Sequence, residues 1–69
     1  MTKKEKIRMA SQIADAELVI LKNANPEEVR LAKDKELNLM SKVELISDLD
    51  DIQALALTMI QEKRQKLGL

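Results

Sequence analysis

Cysteine, histidine, phenylalanine, tyrosine and tryptophan are missing from these 69 residues, and glycine and proline occur once each. Without cysteine there can be no disulfide, thiol nucleophile or thiolate metal site. With histidine gone as well, and one glycine in the whole chain, the usual catalytic base and the glycine-rich phosphate loop are both lost. The remaining carboxylates would need a pocket that shifts their pKa before they could act as acid and base. The chain reads as non-enzymatic, with no cofactor and no metal centre.

Each aromatic residue would have buried about 150–250 Å², so the core must be built from Leu, Ile, Val, Met and Ala. A single core of this size supplies roughly 3–5 kcal/mol. No staple is available, which makes association the expected remedy. Long apolar runs are also absent. None exceeds four residues, the length of Leu18–Leu21, which is far too short to span a bilayer, and no signal-peptide h-region follows the basic N-terminus. The compartment expected by default is the cytoplasm, with no membrane contact. Twelve basic residues balance twelve acidic ones, which argues against a protein whose main task is coating nucleic acid.

What is present is helical patterning. The hydrophobic share is 45% and the charged share 35%, a balance that suits amphipathic helices in one domain over residues 1–69. Three times a capping residue precedes Glu by three positions: Thr2–Glu5, Asn25–Glu28 and Ser41–Glu44. In such a box the first side chain accepts the N3 amide, and the Glu reaches back to the cap. Pro26 stands directly after Asn25, at the helix position that tolerates a missing N–H. The fold class expected is all-α, a small antiparallel three-helix bundle with coiled-coil-like packing and helices at about 2–23, 26–38 and 41–67. The alternative is a helical hairpin in an oligomer, its second arm running unbroken from Pro26 to Lys66.

In the first helix Ile7, Met9, Ala10, Ile13, Ala14, Ala16, Leu18, Ile20 and Leu21 fill an arc of about 200°. One neighbour cannot cover that arc, so this helix is expected to lie between others. The stripe of the second helix is narrow: Val29, Ala32, Leu39 and Met40, with Glu36 in its middle. In the third, Leu45, Leu49, Ile52, Ala56 and Met59 alternate spacings of four and three, an a/d seam that Ile46 and Ile60 widen. Lys63, Arg64 and Lys66 load its last turn, and Gly68 stands where it should stop. The expected core seam is Ile7, Ala10, Ala14, Leu18 and Leu21 against Leu45, Leu49, Ile52, Ala56 and Met59. Asp48, Asp50 and Asp51 offer a second place where the third helix could start or kink.

The candidate functional residues follow from the same patterns. Glu44, Asp48, Asp50 and Asp51 lack EF-hand spacing and read as a solvated face opposite the basic N-terminus. An up-down-up bundle brings Lys3, Lys4, Lys6 and Arg8 near Glu44 and Asp48, and sets Lys63, Arg64 and Lys66 against Glu27 and Glu28. Lys3, Lys4, Lys6 and Arg8 are also the possible nucleic-acid contact, although aromatics for base stacking are missing. A helix-turn-helix reading fails on the acidic residues of its would-be recognition helix. Glu17 and Gln53 sit inside apolar arcs and are expected to form a register-setting polar pair, or else to reach a groove or rim. Val19, Val43, Leu55 and Leu57 flank the seams and are the expected self-association or partner surface. The function expected is a protein–protein interaction module, an adaptor, inhibitor or assembly subunit, that self-associates with a dimer favoured. The alternative is a small DNA-associated regulator.

Overall fold

The computed structural model describes residues 1–22 and 25–68. Three helices make up 86% of them: α1 (Lys3–Leu21), α2 (Pro26–Ser41) and α3 (Ile46–Leu67). No strand is present among the described residues. The first two capping residues act as expected. The Glu5 amide donates to Thr2 Oγ1 at 3.2 Å and the Glu28 amide to Asn25 Oδ1 at 3.0 Å, each satisfying an orphan N–H of its first turn. Pro26 is the first residue of α2, with Glu27 and Glu28 at the positive end of its dipole. Gly68 ends α3 at φ 70°, the left-handed conformation that costs a residue without Cβ nothing. The expected end of the first helix at Asn23 lies outside the described residues; α1 closes at Leu21.

The third box does not form. Ser41 completes α2, and its hydroxyl donates back to the Asn38 carbonyl at 2.8 Å. The chain then crosses Lys42–Leu45 and enters α3 behind Leu45, which is extended and gives no side-chain cap. A cap at Ser41 would have ended α2 at Asn38 and withdrawn Leu39 and Met40 from the helix. Instead Leu39 is buried and Met40 packs against the core, and that burial outweighs one capping bond. No side chain takes the place of the lost box, and Asp48 lies in the first turn of α3. Helices α2 and α3 are therefore separate, and the unbroken second arm is excluded.

Helix α1 occupies the middle. Both α2 and α3 pack along it, while α2 and α3 barely touch each other. Lys6 bonds Asp51, and Asp15 bonds Lys63; these pairs advance together along both helices, so α1 and α3 run parallel with α2 antiparallel between them in sequence. The core cluster is Ala10, Ile13, Leu39, Ile52 and Ala56, with Met9, Met40, Val43, Leu55 and Met59 packed against it. It gathers where α1 and α3 begin and α2 ends. The first half of α2 covers α1 alone. The molecule measures 33 × 25 × 15 Å, as long as α3 and wider than it is thick.

Of the expected core seam, Ala10, Ala14, Leu18, Ile52 and Ala56 are buried, and Leu49 and Met59 half-buried. Ile7 and Leu21 are each 40% exposed and Leu45 59%, so these three leave the core. Ile7 and Leu21 share the face of Ala14, one heptad or about 10 Å from it on either side, but only Ala14 is enclosed. Leu45 sits outside any helix, where wheel geometry does not apply.

Urea titration of Ile52→Ala is expected to show a loss of about 3 kcal/mol, since Ile52 is the one large side chain among the described residues that is completely enclosed. Leu45→Ala should stay within about 0.5 kcal/mol of the parent. The same assay separates the caps: Asn25→Ala costs about 1 kcal/mol, and Ser41→Ala is close to neutral.

Candidate interaction surfaces

Two electrostatic features and two apolar ones are candidates for function. At the end where α1 and α3 start, Lys6 Nζ lies 2.7 Å from Asp51 and 3.2 Å from Asp48, and the Met1 ammonium lies 3.4 Å from Asp48. Asp48 is only 9% exposed. The Lys6 ammonium holds its carboxyl below the ordinary aspartate value; burial, the next effect in size, opposes this, and the chain's own amino group adds to the lowering. The two carboxylates in turn raise Lys6, Asp51 more than Asp48. This is the expected meeting of basic N-terminus and acidic α3, narrowed to one lysine. Lys3, Lys4, Arg8 and Glu44 stay exposed. The expected match at the other end does not form: Lys63 bonds Asp15, and Glu27 pairs with Arg30 on its own helix at 2.5 Å. Antiparallel α2 covers α1 rather than α3 there, leaving the C-terminal lysines nearer to α1.

The second feature joins α1 and α2. Glu17 and Glu36 face each other across that interface, and one oxygen of Glu36, Oε1, is buried with no hydrogen-bond partner. Burial first, then the Glu17 carboxyl, push the Glu36 pKa up to about 7 from its ordinary 4.5. A carboxyl withdrawn from water and set against another carboxyl holds its proton, because the protonated form can donate to its neighbour and the ionised form can only repel it. The expected Glu17–Gln53 pair is absent. Gln53 follows buried Ile52 and therefore points about 100° away from it, where it is exposed. The pairing across α1 and α2 was signalled by the two polar interruptions of facing apolar stripes, Glu17 and Glu36.

The four expected surface residues do not share a face. Val43 and Leu55 pack against the core, Val19 lines a groove between α1 and α2, and Leu57 is 57% exposed on α3. The groove holds about 340 Å³ between Ala16 and Val19 on one side and Leu31 and Ala32 on the other, with Asp15, Glu28 and Lys35 at its rim. Leu31 in the groove, and Leu37, Ile46, Leu57 and Leu67 beyond it, are each more than half exposed. No helix among the described residues is long and apolar enough to cross a membrane. Among them, no three acidic side chains converge as a bound metal ion would require. No protein family, curated protein or solved structure matches this chain.

The carboxyl pair gives stability a pH dependence of definite sign. Between about pH 4.5 and 7 the folded chain keeps a proton on Glu36 that the unfolded chain releases, so stability falls as pH rises through that window. Asp48 acts oppositely: its contribution is complete above the ordinary aspartate pKa and is lost as pH falls below it. Thermal unfolding should therefore show maximum stability at about pH 4–5. Glu36→Gln, which resembles the protonated acid, should stabilise by about 1 kcal/mol at pH 8, a value already discounted for the side chain's partial exposure, and change little at pH 5.

Proposed function

We propose that this chain is a non-catalytic helical interaction module of the cytoplasm that self-associates as a dimer and offers further apolar surface to another protein. The observation that carries the reading is an inversion of burial. Among the described residues only four large apolar side chains are buried, Ile13, Leu18, Leu39 and Ile52, while nine are exposed, Met1, Ile7, Leu21, Leu31, Leu37, Leu45, Ile46, Leu57 and Leu67. An exposed leucine is ordinary by itself. Nine against four is a large stored driving force, since each such side chain gains about 1.5–3 kcal/mol on full burial.

Surface area points the same way. The chain exposes 4983 Å² at 7.8 kDa, where a compact monomer of that mass exposes about 4400 Å². The excess, about 600 Å², approaches the roughly 800 Å² that one partner contributes to a specific interface. Nucleic acid is the weaker reading, because Lys6, the centre of the basic run, already lies between Asp48 and Asp51.

Absolute mass by light scattering across a wide concentration range tests this. The expected result is a dimer of about twice 7.8 kDa that dissociates on dilution and is unchanged by duplex DNA. A monomer at every concentration, or a salt-sensitive shift on adding DNA, overturns the reading.

A further inference from the structure

Helix α3 carries two seams, and only one of them is occupied. Ile52, Ala56 and Met59 face α1 and the core. On an adjoining face, Ile46, Asp50, Gln53, Leu57, Ile60, Arg64 and Leu67 alternate spacings of four and three residues without a break, the interval at which helix faces meet in a coiled coil. All but half-buried Ile60 are exposed, Ile46 by 78%. We infer that this second seam pairs antiparallel with the same seam of another copy of this chain, about a two-fold axis at Leu57. The inference rests on the self-association proposed above and adds the surface and orientation.

Charge complementarity identifies the occupant. Asp50 and Arg64 lie seven residues before and seven after Leu57, each about 10.5 Å along the helix from it. Both are exposed, and neither takes part in an ion pair among the described residues, whereas neighbouring Asp48, Asp51 and Lys63 all do. A two-fold axis at Leu57 brings Asp50 of each copy level with Arg64 of the other. It also sets Ile46 near Leu67 at both ends, and Leu57 against itself at the centre. Parallel pairing would align Asp50 with Asp50 and Arg64 with Arg64, which like-charge repulsion disfavours. Gln53 then stands as the uncharged polar residue of a self-complementary seam, the kind that specifies register. An isologous contact of this type closes on itself, so assembly stops at two.

The test combines dissociation constants with cross-linking in the intact chain. Leu57→Glu is expected to weaken the dimer by about 30-fold or more, the effect of losing a central hot-spot residue, with helical circular dichroism retained because Leu57 is more than half exposed. Asp50→Arg and Arg64→Asp should each weaken it, and the double exchange should restore it. Since the chain has no native cysteine, single-cysteine variants report orientation directly. Leu57→Cys should form a disulfide with itself. Asp50→Cys should cross-link to Arg64→Cys in a mixture, and neither of these to itself. A parent chain that is monomeric throughout overturns both self-association and this interface. A dimer indifferent to Leu57→Glu leaves self-association standing and overturns this seam. Self-cross-linking of Asp50→Cys and of Arg64→Cys overturns the antiparallel arrangement.

Discussion

Two helices must lie close against α1 at once, and the rest of the structure depends on that constraint. With no aromatic side chain to bridge a gap, contact requires close backbone approach, and alanine permits it. Ala10, Ala14 and Ala16 on α1, Ala32 on α2 and Ala56 on α3 are all buried; they make up more than half of the buried apolar residues described. An alanine contact brings helices together but removes little area from water per residue. The bundle is thereby closely packed and thinly cored, and many of its larger apolar residues remain outside. Methionines 9, 40 and 59 fill the irregular space around Ile52, a task suited to a flexible unbranched chain.

Electrostatics acts with opposite signs on the two faces of α1. Toward α3, Lys6 between Asp48 and Asp51 and Asp15 with Lys63 bind parallel helices at two levels. Exposed pairs contribute little energy singly, yet two at matched offsets define which register is allowed. Toward α2, Glu17 and Glu36 oppose docking whenever both are ionised. The first half of α2 covers only α1 and its second half carries this unfavourable pair at Glu36, so α2 is the helix the fold holds least firmly near neutral pH.

The proposed self-association follows from geometry more than from composition. A three-helix layer with its thickest helix contact in the middle leaves the outer faces of α2 and α3 without partners. On α3 the free face repeats the four–three spacing of the buried one, so a second copy can use the packing rule that already joins α3 to α1. The pH-sensitive interface lies on α2, away from that face. Under this reading the two events are separable: α2 loosens as pH rises, while the α3 seam depends on apolar burial and on the two symmetry-related pairs of Asp50 with Arg64.

The number of helices, the caps at Thr2 and Asn25, the stop at Gly68 and the buried seam of α3 were legible in the sequence. Each depends on residues within a turn or two of one another, where backbone hydrogen bonding and helical period alone decide the outcome. The same local reasoning failed at Ser41, because capping competed there with burial of Leu39 and Met40, a contest settled by helices distant in sequence. It failed for Ile7 and Leu21 because a wheel gives the angle of a side chain but not whether a neighbouring element covers it. Glu17 was marked as anomalous by its place in an apolar arc, and so was Glu36, but a wheel cannot say that two anomalies face each other. Only the antiparallel docking of α2 on α1 decided that, since it alone sets which polar interruption meets which.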